Sequence, residues 1–131
     1  RYFFIEDQGV LVPDDFRHEI LLVVQGPGGL AVLAGGCHRG VRNAVATIRD
    51  LFPGCEIQAL FCGFHAVRLP WTGMMPGGRI DLGQLARDLL AMDDVRTFYT
   101  CHSTSPNVVR EMQKVLGERL VYFGAGCRVV L

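Results

Sequence analysis

Leu30-Ala31-Val32-Leu33-Ala34-Gly35-Gly36-Cys37-His38-Arg39-Gly40 is the stretch that decides the fold of this chain. A short apolar run of strand character meets a glycine turn, delivers a histidine and gives way to helical periodicity. Val41, Ala44, Val45, Ile48, Leu51 and Phe52 fall on one helical face before Pro53-Gly54 ends the pattern. The arrangement recurs. Ile57 to Phe61 runs into Cys62-Gly63-Phe64-His65, and Val95 to Tyr99 runs into Thr100-Cys101-His102. With only four histidines in the chain, three in one context form a pattern rather than an effect of composition. A buried strand that carries an imidazole at its C-terminal end is how layered α/β proteins build metal and active sites.

The flanking sequence supplies the rest of a sheet. Tyr2 to Ile5 reads as a short strand and Val10 to Arg17 as an irregular loop. Glu19 to Gln25 is a strand that turns at Gly26-Pro27-Gly28-Gly29 and returns through Leu30 to Ala34, a β-hairpin. The composition of Ile57 to Phe61 predicts a strand buried on both faces. Leu69 to Gly78 is a loop that includes Trp71, and Leu82, Leu85, Ala86 and Leu89 mark a second helix. Ser105 is placed as N-cap and Pro106 as first residue of a third helix. Its buried face is Val108, Val109, Met112, Val115 and Leu116, and Gly117 closes it. Leu120 to Phe123 and Arg128 to Leu131 read as final short strands. The order predicts an α/β fold of layered α+β character, with residues 1–131 as a single domain and helices covering a sheet.

Composition narrows the function. The formal net charge is zero, which argues against a nucleic-acid or membrane-surface binder, and no apolar run approaches the roughly 20 residues a bilayer requires. Five cysteines, an odd number, fit reduced thiols in a cytoplasm better than a disulfide framework. The chain opens directly on a strand-like Arg1-Tyr2-Phe3-Phe4-Ile5, so a further segment is expected to precede it in the parent protein.

Each histidine has two readings. His38 and His102, in turns between strand and helix, are metal ligands or acid/base groups, or else capping residues of tight turns. His65 is a ligand, a substrate-facing acid/base, or a hydrogen-bonded residue at a strand end. His18, in Asp14-Asp15-Phe16-Arg17-His18-Glu19, ligates metal or merely belongs to a polar loop anchored by carboxylate–imidazole hydrogen bonds. Cysteines beside the histidines would suit zinc, but there is no Cys-x-x-Cys. Cys55 and Cys127 read as structural. Gly26-Pro27-Gly28-Gly29 is no phosphate loop, because no Lys-Ser/Thr follows it.

Taken in order, Asp14 to Glu19, Gly36-Cys37-His38-Arg39-Gly40-Val41 with Asn43, Gly63-Phe64-His65 and Phe98-Tyr99-Thr100-Cys101-His102 resemble the C-terminal half of metallo-β-lactamase-fold hydrolases. The closest subgroup is the dihydropterin or methanopterin-biosynthesis phosphate-synthase-like one, and Leu120 to Gly126 resembles its closing strand and glycine turn. The resemblance implies half of an αββα sandwich, one mixed sheet with its helices. It implies His38 and His102 as metal ligands, His18 as a weaker third, and His65 as the catalytic group that orients substrate or shuttles a proton. The implied cofactor is zinc, as one or two divalent ions, with Mn or Fe as alternatives. The implied reaction is attack of metal-activated water on a small ester or phosphoester.

The family's His-x-His-x-Asp-His motif is absent, so the resemblance also implies an inactive isolated chain. Such a chain is an incomplete fragment or an interaction module that needs its N-terminal half or a homo-oligomeric partner. The chain departs from the subgroup at three points. Gly36 stands where a cysteine is common, Cys62 replaces the first glycine before Gly63, and His102-Ser103-Thr104-Ser105 replaces His-Cys-Thr-Gly.

Overall fold

The computed structural model describes residues 3–66 and 81–131. Tyr2 of the first expected strand and the Trp71-containing loop lie outside the described residues. The elements are β1 (Phe4–Asp7), β2 (Val10–Pro13), β3 (Leu22–Gly26), β4 (Gly29–Leu33), α1 (Val41–Leu51), β5 (Ile57–Phe61), α2 (Leu82–Leu90), β6 (Val95–Thr100), α3 (Pro106–Leu116), a 3₁₀ turn (Gly117–Arg119) and β7 (Leu120–Tyr122).

Strands β3 to β7 form one sheet in sequential order. The β3–β4 hairpin is antiparallel, and β4, β5, β6 and β7 are mutually parallel. The mixed α/β class expected from the element order is therefore observed. Each parallel step moves one place in the same direction, so crossovers of one hand carry all three helices to the same face. One core results. Val32, Leu60, Phe98 and Leu120 from the sheet meet Val41, Val45 and Ile48 of α1, Ala86 and Leu89 of α2, and Val108, Val109, Met112 and Leu116 of α3.

Arg119 locks the lower edge. Its guanidinium donates to the carbonyls of Leu90, Met92 and Val95 at 2.8, 2.6 and 2.7 Å, so it closes the C-terminus of α2 and the start of β6 together.

As expected of a strand covered on both faces, β5 has no exposed residue: Ile57, Ala59 and Leu60 are fully buried and Gln58 and Phe61 partly so, and what the winding leaves open is the outer part of the second face. Cross-strand register places Leu22 and Val24 with Leu33 and Ala31, then Ala59 and Phe61, then Thr97 and Tyr99, then Val121, on the face opposite the helices. Leu22, Val24 and Leu33 are exposed. Phe61 and Tyr99 stack at 4.6 Å under Phe123.

Other boundaries also differ from those read in the sequence. Val10 to Pro13 is a strand, not loop. Gln8 and Gly9, both at positive φ (50° and 82°), make the two-residue turn that pairs it with β1, and glutamine gave no turn signal. β3 starts at Leu22, which leaves Ile20 80% exposed. Leu51 and Val115, assigned to buried helix faces, are exposed at 66% and 37%. Ser105 precedes α3 as placed, but its hydroxyl makes no cap hydrogen bond. Arg128 to Leu131 is not a strand: Val130 is 83% exposed and the segment pairs with none of the described residues. No helix among the described residues is long and apolar enough to cross a membrane.

Candidate functional site

Three parallel strands ending together bring three loops to one edge, and backbone hydrogen bonds tie those loops into one body. The Ala34 N–H donates to the Phe61 carbonyl (2.8 Å), Cys62 to Tyr99 (2.9 Å), Gly63 to Gly35 (2.7 Å), Ala66 to Ser103 (2.7 Å) and Ser105 to Ala66 (3.1 Å). Beneath them the buried Thr104 hydroxyl accepts from the Phe64 N–H at 2.9 Å and pairs with the Thr100 hydroxyl at 2.8 Å. The loops are tightly wound. Cys37, His65 and Ser103 all hold left-handed backbone (φ 53°, 50° and 56°), a conformation that persists only where surroundings fix it.

This edge gathers three of the four histidines. The rings of His38 and His65 are 4.5 Å apart between centroids. His102 is on the other side of Gly63: a Cβ at that glycine would stand 3.3 Å from the His102 ring. His38 and His102 are exposed and His65 is half-buried. Both ring nitrogens of His65 are buried and lack a hydrogen-bond partner among the described residues. Desolvation first, then the charges of His38 and His102, hold the His65 imidazole below its ordinary value, with Glu19 acting weakly in the opposite sense. His18 is not drawn in; among the described residues its ring meets Phe16, at 5.9 Å.

Phe3 and Phe16 form an apolar wall that the sequence did not announce. Phe16 stacks on His38 (5.2 Å, 6° between planes), and Phe3 meets Phe16, His38 and His65 edge-on. Phe3 carried no signal. Phe16 lies inside the polar segment Asp14 to Glu19, where the charged residues dominate the pattern. Behind His38, the buried thiols of Cys37 and Cys62 hydrogen-bond. That bond and burial push Cys62 well up, while Cys37 is lowered as the acceptor. A groove of about 650 Å³ beside α1 is lined by Glu19, Cys37, Arg39, Asn43 and Thr47. It opens on the backbone side of the His38 turn, and no histidine lines it.

The lowered value of His65 sets a pH dependence. Because the unfolded chain binds the proton more readily, the folded state loses stability as pH falls below about 6.5 and through the lower folded value; above that range the term is absent. His65→Asn, which tolerates the left-handed backbone, is expected to flatten this slope. Denaturant melts of both chains between pH 7.5 and about 5 check it; identical slopes would mean that His65 is not the group concerned.

Donor chemistry here suits a divalent ion, which takes neutral imidazole. The set is partial, however. Among the described residues, no group of three or more His, Cys, Asp and Glu side chains could hold a metal ion, whereas zinc sites take three or four protein ligands.

No protein-family model matches the chain, and no curated protein matches it. Its fold does match a solved one. The crystal structure of Tm1679, a metal-dependent hydrolase of the beta-lactamase superfamily, superposes with a TM-score of 0.79 over 98% of this chain at 24% identity. The likeness establishes the fold. The chain spans 46% of that structure's length.

Proposed function

We propose that residues 1–131 are the C-terminal part of a metal-dependent hydrolase of the metallo-β-lactamase type. The observation that carries this reading is the convergence of His38, His65 and His102 from three successive loops at one strand edge, with the His65 nitrogens unsatisfied. The shared fold of a metal-dependent hydrolase supports it. His38 and His102 would hold the ion, and the structure leaves His18, which faces Phe16, apart from them. When bound, zinc (or Mn or Fe) would polarise the scissile bond and supply hydroxide near neutral pH.

The remaining chemistry belongs to the chain. His65, whose pKa is held below its ordinary value chiefly by desolvation, accepts a proton or orients the substrate. Phe3 packs against His65 and, with Phe16, offers an apolar wall to a small ester or phosphoester. Five free thiols support a reducing, cytoplasmic setting.

A partial donor set and an open apolar sheet face together favour a second element of this reading. The isolated chain is catalytically incomplete and takes a second β-sheet, from its N-terminal half or from another copy of itself, against the Leu22, Val24 and Leu33 face.

The test is elemental analysis of the purified chain and of a His38→Ala/His102→Ala variant. About one or two divalent ions per chain, lost in the variant, are expected of a site built on these imidazoles. A metal content unchanged in the variant would rule out both residues as ligands, and no stoichiometric metal in the parent chain would rule out a site that residues 1–131 can hold alone.

A further inference from the structure

The segment Asp14 to Glu19 is drawn in detail by the structure, and the reading above uses only the apolar surface of Phe16 from it. We infer that it is a positioning clamp for His38, in which Phe16 fixes the plane of the imidazole and Glu19 fixes the backbone that carries it. The role of this clamp in ligand placement rests on the hydrolase reading; its existence does not.

The observations form a closed chain. Asp14 is 8% exposed, and its carboxylate accepts the Phe16 N–H at 2.7 Å. This bond holds Phe16 in left-handed backbone (φ 53°), an unusual state for an aromatic residue. The Phe16 side chain is thereby turned inward, 4% exposed, with its ring flat against His38 at 5.2 Å. The Glu19 N–H then donates to the Phe16 carbonyl at 3.1 Å, which sets the Glu19 carboxylate over the next turn. There one oxygen accepts the His38 N–H at 2.5 Å and the other the Arg39 N–H at 3.1 Å. A carboxylate on two successive backbone amides is a charge-assisted pair with a fixed direction.

The turn needs this support. Gly35 and Gly40 flank it at positive φ, and Gly36 puts no side chain against the ring: a Cβ there would lie 2.8 Å from His38 Nε2. Without Phe16 and Glu19 the imidazole would swing over a glycine surface. Asp15 is not part of the clamp, since its carboxylate pairs with exposed Arg17 at 2.5 Å, and Asp15→Ala is the neutral control.

The experiment uses NMR on the metal-free chain, then Co²⁺ titration, for Phe16→Leu, Glu19→Ala, Glu19→Gln and Asp15→Ala. In the metal-free parent chain, ring-to-ring Overhauser contacts between Phe16 and His38 and hydrogen-bonded His38 and Arg39 amides are expected. Phe16→Leu should release the His38 ring shifts and Glu19→Ala the two amides. Glu19→Gln, which keeps one acceptor oxygen, should restore the His38 amide in part. Each disruption should weaken Co²⁺ by about tenfold, as loss of a ligand's supporting partner does, while Asp15→Ala leaves it unchanged.

If the parent chain binds no Co²⁺, the hydrolase reading loses its support and the metal-free spectra still decide the clamp. Unchanged His38 shifts and amides in both Phe16→Leu and Glu19→Ala would overturn it. So would variants that lose thermal stability with no change at His38.

Discussion

Gly63→Ala is expected to destabilise the chain by about 3 kcal/mol, the upper range for forcing atoms into a packed site, and to lower the unfolding midpoint by roughly 10 °C for a chain of this size. The reason is steric and local. An added Cβ would stand 2.5 Å from the His102 carbonyl oxygen, 3.3 Å from the His102 ring and 3.3 Å from Ser103 Cβ. The first of these is backbone and cannot rotate aside. It must move with the loop that carries His102, and that loop is held by the Ala66–Ser103 and Phe64–Thr104 hydrogen bonds. Displacement therefore spreads to His65, two residues beyond Gly63. Gly83→Ala is the contrast. Gly83 sits in α2, where a Cβ would meet only the ends of the Arg87 and Asp81 side chains at 3.3 Å, so alanine should stabilise by up to about 1 kcal/mol. Thermal melts of both variants give the comparison. A Gly63→Ala chain as stable as its parent would mean that the three loops are not the rigid body described.

That tightness explains what could be read from the sequence. Strand, turn and helix announce themselves through local pattern, so the three strand–histidine junctions and the helices Val41–Leu51, Leu82–Leu90 and Pro106–Leu116 were legible. So was the placement of His38 and His102 at the strand ends. Contacts that close through space were not. Nothing local says that Phe3 reaches His65, that Phe16 lies flat on His38, or that the Glu19 carboxylate caps a turn 19 residues away.

Changing Val24 and Leu33 together to lysine is expected to convert the isolated chain from a self-associating species to a 14.5 kDa monomer. All the helices lie on one face, so Leu22, Val24, Leu33, Phe61, Tyr99 and Val121 form a continuous uncharged surface on the other. Val24 is 53% exposed and Leu33 42%. Apolar faces of this kind on soluble chains mark contact surfaces, and sheets bury such faces by stacking about 10 Å apart. Two lysines on adjacent strands would place like charges at the centre of any such stack while costing the monomer little, because both side chains already face solvent and strand propensity spans only about 1 kcal/mol. Sedimentation velocity at several concentrations distinguishes the cases. Loss of association in the variant, with metal content retained, would locate the contact on this face and separate it from the imidazole edge. Association unchanged in the variant would assign the contact to another surface. A parent chain that is monomeric at every concentration would show that the face tolerates water unaided, and would remove the reason to expect a second sheet against it.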